Sequence, residues 1–299
     1  MDIKLGFKRI MLLSFVGASF FAVSCDEDVL NNLASGDTVA ALKEALTIGA
    51  KTAATNLGQK DGYYGDAMVK IGMPQEVATV AELMSTTAGK TFLNTIGAEG
   101  LQTDNLVELM NRAAEKAAPE SAEIFASAIT SMTVSDGESI LFGNYQSASA
   151  NEEGNITASF GSDKAATSYL YDKTYSGLQV TFGDVVTSTF DQVSVSGLTL
   201  NSAWSSFSKG YNKIAEKKST VAGTAALAAM KLALPSDKAY LYDKVNAIQT
   251  VNTNLGEYVT GKALDGLFTK VADKEVDIRT NAAARTSDLL KRVFGRLDE

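Results

Sequence analysis

The chain has 299 residues, 45% of them apolar, and a formal net charge of −8. This composition is that of a folded globular protein, and the acidic balance argues against nucleic-acid binding, which needs a basic surface. Histidine is absent and cysteine occurs once, which excludes Ser-His-Asp and Cys-His catalysis and zinc sites built from these residues. No metal or cofactor site is therefore predicted, and binding or scaffolding is favoured over catalysis.

The N-terminus has the pattern of a secretory signal. Three basic residues precede an apolar run over 10–23, which has the size of a signal-peptide core and is shorter than the about 20 residues of a membrane-spanning helix. The run ends in Ala-Val-Ser-Cys25, which resembles the lipobox of bacterial lipoproteins, where the cysteine carries diacylglycerol. We predict a signal peptide over 1–24 and lipidation of Cys25; the alternatives are an ordinary signal with a chance cysteine, or a buried free thiol.

This prediction places the protein in the cell envelope, attached by its lipid to the outer membrane, on the periplasmic side or at the cell surface. Removal of residues 1–24 takes away three basic residues and one acidic residue, so the net charge changes from −8 to −10. Because anionic headgroups repel such a chain, the N-terminal lipid is the expected membrane contact. Residues 25–36 read as a lipidated polar tether, whose acidic start resembles an export signal of surface lipoproteins or simply solvates the linker.

Apolar residues at helical spacing predict successive helices from Asp37 onward. Asp37 is a good N-cap for a helix that reaches Leu57, Pro74 fits the first turn of a second helix, and Asp104 opens a third. Loops between the helices are short and the alternation of strands and helices that builds parallel sheets is missing. The sequence therefore predicts an all-α, bundle-like single domain over 37–299.

Two segments depart from this pattern. Residues 144–161 are rich in Ser, Gly and Asn around a turn-like centre and predict a small β-hairpin or, failing that, a loop insertion; strands are expected nowhere else. Helices resume from about 164 to 216. Residues 219–234 then contain an extra helix that is apolar on almost every face, which predicts burial on all sides, with contact to the membrane surface as the minor alternative.

The C-terminal segment has the strongest pattern, with an apolar stripe over 259–272 and a final helix whose Leu289, Leu290, Val293 and Phe294 are expected to pack inward. Its sequence ALDGLF…IR…NAAARTSDLLKRVFG is similar to the closing motif of bacterial lipoproteins grouped as domain of unknown function 4197. Further segments, such as LMNRAAEKAAPES, extend the resemblance over most of 38–295. The resemblance implies a secreted, mostly helical lipoprotein without an established activity.

Six polar residues within the similar segments are candidate binding residues. They are Asn111, Arg112, Glu115, Glu275, Arg279 and Arg285. Spacings of three and four residues put Arg112 beside Glu115 and Glu275 beside Arg279, so salt bridges that join helices are the simplest interpretation. If the three arginines converge, they could instead hold a small anionic ligand, because guanidinium groups suit carboxylates and phosphates.

Two classes of function remain. The first is a lipid-anchored envelope protein with a scaffold role, or one that binds an envelope protein or a small anionic ligand. The second is a carboxylate-dependent envelope hydrolase in which Glu115 and Glu275 act as paired acids. A deep pocket lined by charged groups with shifted pKa values would indicate a binding or catalytic site. A filled bundle centre with charges at its rim would indicate a scaffold role.

Overall fold

The computed structural model describes residues 27–298 except 99–100, 102, 132, 136, 146–160 and 252. The signal peptide, Cys25 and most of the predicted insertion at 144–161 lie outside the described residues. The described part of the chain forms eleven α-helices and one pair of short strands. The helices are α1 Glu27–Leu57, α2 Gln75–Met84, α3 Thr87–Thr95, α4 Asp104–Ser131, α5 Gly137–Leu141, α6 Ala165–Ser188, α7 Leu200–Lys217, α8 Val221–Ala233, α9 Leu241–Ala247, α10 Leu255–Thr280 and α11 Asp288–Phe294.

Helix α10 lies at the centre of the domain. It packs against α1, α4 and α6, and α4 also contacts α1 and α6. The aromatic ring of Phe268 on α10 lies 5.1 Å from that of Phe125 on α4 and 5.0 Å from that of Tyr171 on α6. The predicted apolar stripe of α10 is buried, and α11 closes the core with Phe294 fully buried. Helices α5 and α11 contact α1, and α7 contacts α4. Helices α2, α3, α8 and α9 pack against one another, and α2 also contacts α7.

The all-α prediction is confirmed, but the one strand pair of the described residues lies outside 144–161. Strands β1 Ser194–Val195 and β2 Leu198–Thr199 form an antiparallel pair between α6 and α7. Ser196 and Gly197 both have positive φ, at 52° and 80°, as two-residue hairpin turns require. The expectation of strands only within 144–161 is therefore wrong, since arms of two residues are too short to show alternation in a sequence.

The first helix begins earlier than predicted. Asp37 lies inside α1, which starts at Glu27 and so includes most of the predicted tether. The Asp37 carboxylate accepts a hydrogen bond from Arg292 of α11 at 2.7 Å. The prediction that Asp37 caps a helix is therefore wrong, because this carboxylate serves a tertiary ion pair instead.

Helix α8 lies at the surface, so the prediction that it is buried on all sides is wrong. Only Gly223, Leu227 and Met230 are buried, while Val221 and Leu232 are 92% and 90% exposed. Its neighbours are α3 and α9, which cover one side of the helix. Among the described residues, no helix combines the length and the apolar character that a membrane crossing needs.

Candidate functional site

Helix α4 presents three of the six candidate residues to the loop over 58–74, and two of them bind its backbone. Asn111 is fully buried; its Oδ1 accepts from the backbone N–H of Ile71, and its Nδ2 donates to the backbone carbonyl of Ile71, both at 2.9 Å. Glu115 is 4% exposed, and its Oε1 accepts from the backbone N–H groups of Tyr63 and Tyr64 at 3.2 and 3.0 Å. Buried backbone groups need partners, and α4 supplies them to this loop.

Arg112 completes the contacts on this side of the domain. Its guanidinium group pairs with Glu115 at 2.7 Å, Asp61 at 2.8 Å and Glu108 at 3.1 Å. The predicted ion pair between Arg112 and Glu115 is therefore present. Three carboxylates around one guanidinium group leave little positive potential for an anionic ligand.

Glu275 of α10 holds the N-terminus of α6. It is 1% exposed, and its two oxygens accept from the backbone N–H groups of Ala166 at 2.9 Å and Thr167 at 2.7 Å. Lys164, at the N-cap position of α6, makes no side-chain cap hydrogen bond, so a carboxylate from another helix satisfies these donors and complements the helix dipole. Arg279 donates to the same carboxylate at 2.7 Å, which is the second predicted ion pair.

Arg279 and Arg285 donate hydrogen bonds to carbonyl groups at the C-terminal ends of helices. Arg279 donates to the carbonyls of Ile140 and Leu141 at the end of α5. Arg285 donates to the carbonyls of Ile278 at 2.9 Å and Arg279 at 2.8 Å, in the last turn of α10, and also pairs with Asp298. The last carbonyls of a helix lack partners within the helix, and both guanidinium groups are used there.

The six candidate residues form two polar clusters, Asn111, Arg112 and Glu115 at the loop over 58–74, and Glu275, Arg279 and Arg285 at helix ends. Five of the six are buried and the Arg112 side chain is 18% exposed; we call the two clusters together the buried polar network. Arg112 has different partners from Arg279 and Arg285, so the arginines serve separate junctions. Glu115 and Glu275 each accept two backbone hydrogen bonds and face an arginine. Anion binding by the arginines and paired-acid chemistry by the two glutamates stay predictions, and these contacts favour a structural role.

A cleft of about 950 Å³ lies beside the contact between α6 and the N-terminal half of α10, and we call it the α6–α10 cleft. The two helices run antiparallel and approach closely where each has glycine. A Cβ atom on Gly256 would lie 2.8 Å from the Thr187 methyl group, and one on Gly183 would lie 3.6 Å from that of Thr260. Glycine is therefore required at 256, and the cleft opens beside this approach.

Asp265 has weak contacts in the wall of this cleft. The Tyr175 hydroxyl lies 3.5 Å from its Oδ1, and the Lys262 ammonium lies 3.5 Å from its Oδ2, at the outer limit for hydrogen bonds. Burial raises the pKa of Asp265, against a smaller opposing effect of Lys262. Burial, followed by the nearby charge of Asp265, likewise raises the pKa of Tyr175.

Thr260 contributes a buried hydroxyl to the same wall. The residue is 3% exposed, and its Oγ1 has no hydrogen-bond partner within the described part of the chain. Buried hydroxyl groups in folded proteins have partners in the large majority of cases. This oxygen has almost no accessible surface and lies against Gly183 of α6, where a Cβ atom would be 3.7 Å away, so it is enclosed in the contact between the two helices.

The charge of the cleft is negative. Its wall contains the carboxylates of Asp184, Glu257 and Asp265 and one ammonium group, that of Lys262. In the described ranges, no three acidic side chains come together as a metal site would require. The other polar side chains of the wall are those of Tyr175, Gln179, Thr187, Thr253, Asn254, Tyr258 and Thr260.

Comparison with models of known protein families assigns the chain to one family. The family model described as "Protein of unknown function (DUF4197)" matches residues 32–151 and 149–295. The chain belongs to the DUF4197 family. No curated protein and no solved structure matches it.

The motifs that resemble the DUF4197 family contain the buried polar network, whereas sequence analysis missed the cleft. Thr260, Lys262 and Asp265 lie within the stretch that was interpreted as an apolar stripe. One available signal was the glycines: Gly183, Gly256 and Gly261 all lie inside helices, where glycine costs up to about 1 kcal/mol relative to alanine. Such positions indicate close approach or open space, but they do not show which helices meet.

Proposed function

We propose that this DUF4197 protein is a lipid-anchored protein of the bacterial outer membrane, and that its helical domain binds a small ligand in the α6–α10 cleft. The observation that carries the binding proposal is the Asp265 carboxyl in the cleft wall, which is 25% exposed and has contacts of 3.5 Å with Tyr175 and with Lys262. The cleft volume, about 950 Å³, lies within the range of about 300–1,000 Å³ that small-molecule sites occupy. A carboxylate accepts up to about four hydrogen bonds, so the accessible oxygens of Asp265 can accept from a ligand.

The anchor proposal is supported by the N-terminal sequence. A basic start, an apolar run over 10–23 and the Ala-Val-Ser-Cys25 tetrad occur in the order of a lipoprotein signal. In cells that process such signals, Cys25→Ser should abolish the lipid mass on the mature N-terminus and release the protein from membranes. Wild-type protein without acyl mass, together with membrane-bound Cys25→Ser protein, would contradict the anchor.

The binding proposal is tested by filling the cleft. A Cβ atom on Gly261 would lie 3.7 Å from the Tyr175 hydroxyl, which is ordinary contact, so Gly261→Leu can fold while its side chain occupies the cleft. Gly177→Leu is the matched control, because Gly177 lies on α6 outside this cleft and has open space around it.

The measurement is a thermal-shift screen of the full chain in detergent, with neutral sugars, organic acids, nucleosides and amines as ligands. We expect at least one compound to raise the melting temperature of wild type and Gly177→Leu but not that of Gly261→Leu. A screen without such a compound would overturn binding in this cleft.

The hydrolase alternative draws no support from the contacts of Glu115 and Glu275, since both carboxylates already accept backbone hydrogen bonds and pair with arginine. A general acid or a nucleophile needs a carboxyl group that substrate can reach. These two groups are 4% and 1% exposed. Ligand binding in the cleft is therefore the function that the geometry supports best.

A further inference from the structure

We infer that helix α8 lies on the surface of an anionic phospholipid membrane, so that the domain has a second membrane contact besides the lipid on Cys25. This inference rests on the proposed anchor and is independent of ligand binding in the α6–α10 cleft. Helix α8 has two apolar faces, and the described part of the chain covers only one of them.

The exposed face of α8 lies directly opposite its buried face. The buried face consists of Gly223, Leu227 and Met230. Because an α-helix has 3.6 residues per turn, four apolar residues project from the opposite side. These four residues, all exposed, are Val221, Ala225, Ala228 and Leu232. Thr224 and Lys231 are the two polar side chains among the 13 residues of the helix, so the exposed face is apolar along its whole length.

The surroundings of this face are basic, although the protein is acidic. Residues 217–244, which contain α8 and α9, have five lysines and two acidic residues, whereas the whole chain has a net charge of −8. Helix α3, against which α8 packs, adds Lys90 and no acidic residue. Glu82 of α2 pairs with Lys238 and Lys244, and the local charge stays positive when it is included. Because surface charges are screened beyond about 8 Å at physiological ionic strength, anionic headgroups would meet this local excess.

Exposed apolar side chains next to lysines suit the boundary between headgroups and acyl chains. Helices that lie in this boundary bury their apolar face and keep basic groups at the level of the phosphates. Lys217 and Lys218 precede Val221, and Lys231 precedes Leu232, so lysines stand near both ends of the exposed face. Their long apolar stems can follow the membrane surface while the ammonium groups stay in water.

The size of the exposed face favours a membrane over a protein partner. A helix of 13 residues is about 20 Å long, and a strip about 10 Å wide along it has an area of roughly 200 Å². A stable protein interface buries about 800 Å² on each partner. A lipid anchor holds α8 near the membrane, so a contact too weak to bind from solution becomes effective there.

The anchor and α8 lie at opposite ends of α10. Asp37, on the part of α1 that leads to Cys25, contacts Arg292 beyond the C-terminal end of α10. Near the N-terminal end of α10, Tyr258 donates to the carbonyl of Gly72, which precedes α2. Helix α2 packs against α3 and α9, the neighbours of α8. Membrane contact at both ends therefore places α10 along the membrane surface, not upright on its anchor.

A fluorescent label on α8 tests this inference, with the mature lipoprotein in vesicles of phosphatidylethanolamine and phosphatidylglycerol. Because Cys25 is the single cysteine of the chain and is acylated in that form, an environment-sensitive dye on Val221→Cys marks one position. We expect its emission to shift to shorter wavelength and to be quenched by quenchers on the acyl chains. Val180→Cys is the matched control, because Val180 is an exposed valine of α6, and its dye should show neither effect.

Two changes test which groups make the contact. Leu232→Glu places a charge on the apolar face and should abolish the shift of the dye on Val221→Cys, whereas Val180→Glu should leave it unchanged. Vesicles of phosphatidylcholine, which have no net charge, should give a smaller shift, and so should high salt. Equal shifts in both kinds of vesicle would overturn the choice of an anionic membrane.

The outcomes separate this inference from the proposed anchor. If Cys25 carries no acyl mass, the anchor is wrong and this inference falls with it. If the acyl mass is present but the dyes on Val221→Cys and Val180→Cys respond alike, only this inference is wrong. A shift that depends on the density of protein in the vesicles, and not on their lipid, would mean that a second copy of the chain covers α8, which also overturns it.

Discussion

At the start of α6, both oxygens of Glu275 accept backbone hydrogen bonds, and Arg279 pairs with the same carboxylate at 2.7 Å. In the α6–α10 cleft, on the same helix α10, Asp265 has contacts only at 3.5 Å. Both are acidic residues that contact a basic residue three or four positions away. They differ in their donors: backbone N–H groups donate to the carboxylate of Glu275, whereas only side chains contact that of Asp265.

This difference separates polar residues that hold a fold together from polar residues that are available for binding. Buried ion pairs cost desolvation energy and are stable only when additional hydrogen bonds satisfy them. Every member of the buried polar network except Arg112 has such bonds to backbone groups at a helix end or in a loop, and Arg112 pairs with three carboxylates. In the cleft wall, the Asp265 carboxylate has only long contacts, which lowers stability slightly and leaves acceptor capacity for a ligand.

The largest effect is expected for Glu275→Ala. This change leaves Arg279 buried without its carboxylate and removes the acceptor of two N–H groups at the start of α6. Loss of one partner of a buried pair costs about 3–5 kcal/mol of unfolding free energy. Asp273→Ala is the control on the same helix, with a side chain that is 57% exposed. Urea titrations that show equal stabilities for the two variants would contradict the structural role of Glu275.

A smaller loss is expected for Asn111→Ala. The change leaves the backbone N–H and carbonyl of Ile71 without the amide that contacts both, at a cost of about 1–3 kcal/mol. Proteolysis should also cut the loop over 58–74 faster. The control is Asn94→Ala, at an exposed position of α3. If the loop is cut at the wild-type rate, Asn111 does not hold it.

Replacement of Thr260, beside the cleft, should raise stability, whereas the two changes above lower it. Thr260→Val removes a hydroxyl that has no partner among the described residues, so the free energy of unfolding should rise by about 1 kcal/mol. Thr269→Val is the control, because the Thr269 hydroxyl donates to the backbone carbonyl of Asp265 at 2.8 Å. Thermal melts should show a higher melting temperature only for Thr260→Val. A lower melting temperature for this variant would mean that the hydroxyl stabilises the fold.

The smallest effect is expected for Asp265→Asn, and it depends on pH. Burial raises the pKa of Asp265 above its ordinary value of 3.8, so the ionised carboxyl lowers stability at neutral pH. The variant should melt slightly above wild type at pH 7. As the pH falls through the raised pKa of Asp265, the wild-type carboxyl becomes protonated and the difference should narrow.

Asp298→Asn provides the comparison of opposite sign. The hydrogen bond from Arg285 lowers the pKa of Asp298, so this carboxylate adds stability above its unfolded pKa and loses it in acid. Asp298→Asn should therefore melt below wild type at pH 7, and the two should converge in acid. Melting curves in which both variants shift in the same direction would contradict the difference between the network and the cleft.

The sequence alone determined the helical class and much of the core. The spacing of apolar residues in α1, α10 and α11 depends only on the period of the helix, so burial of Leu42, Leu46 and Phe294 could be predicted. The pairing of Arg112 with Glu115 and of Glu275 with Arg279 also follows from that period. The family resemblance also pointed to the six residues that hold the loop over 58–74 and the ends of helices.

Only the tertiary structure decided the rest, because the deciding contacts join distant parts of the chain. Helix α8 is apolar throughout, but its exposure depends on which helices cover it. Asp37 could serve as a cap or as an ion-pair partner, and Arg292 of α11 decides between them. Glu275 and Asp265 look alike in sequence; the first meets the N-terminus of α6, and the second faces a cleft that forms where α6 passes beside α10. A side chain's role follows from whether its hydrogen-bonding groups are satisfied, and that depends on neighbours that local sequence does not contain.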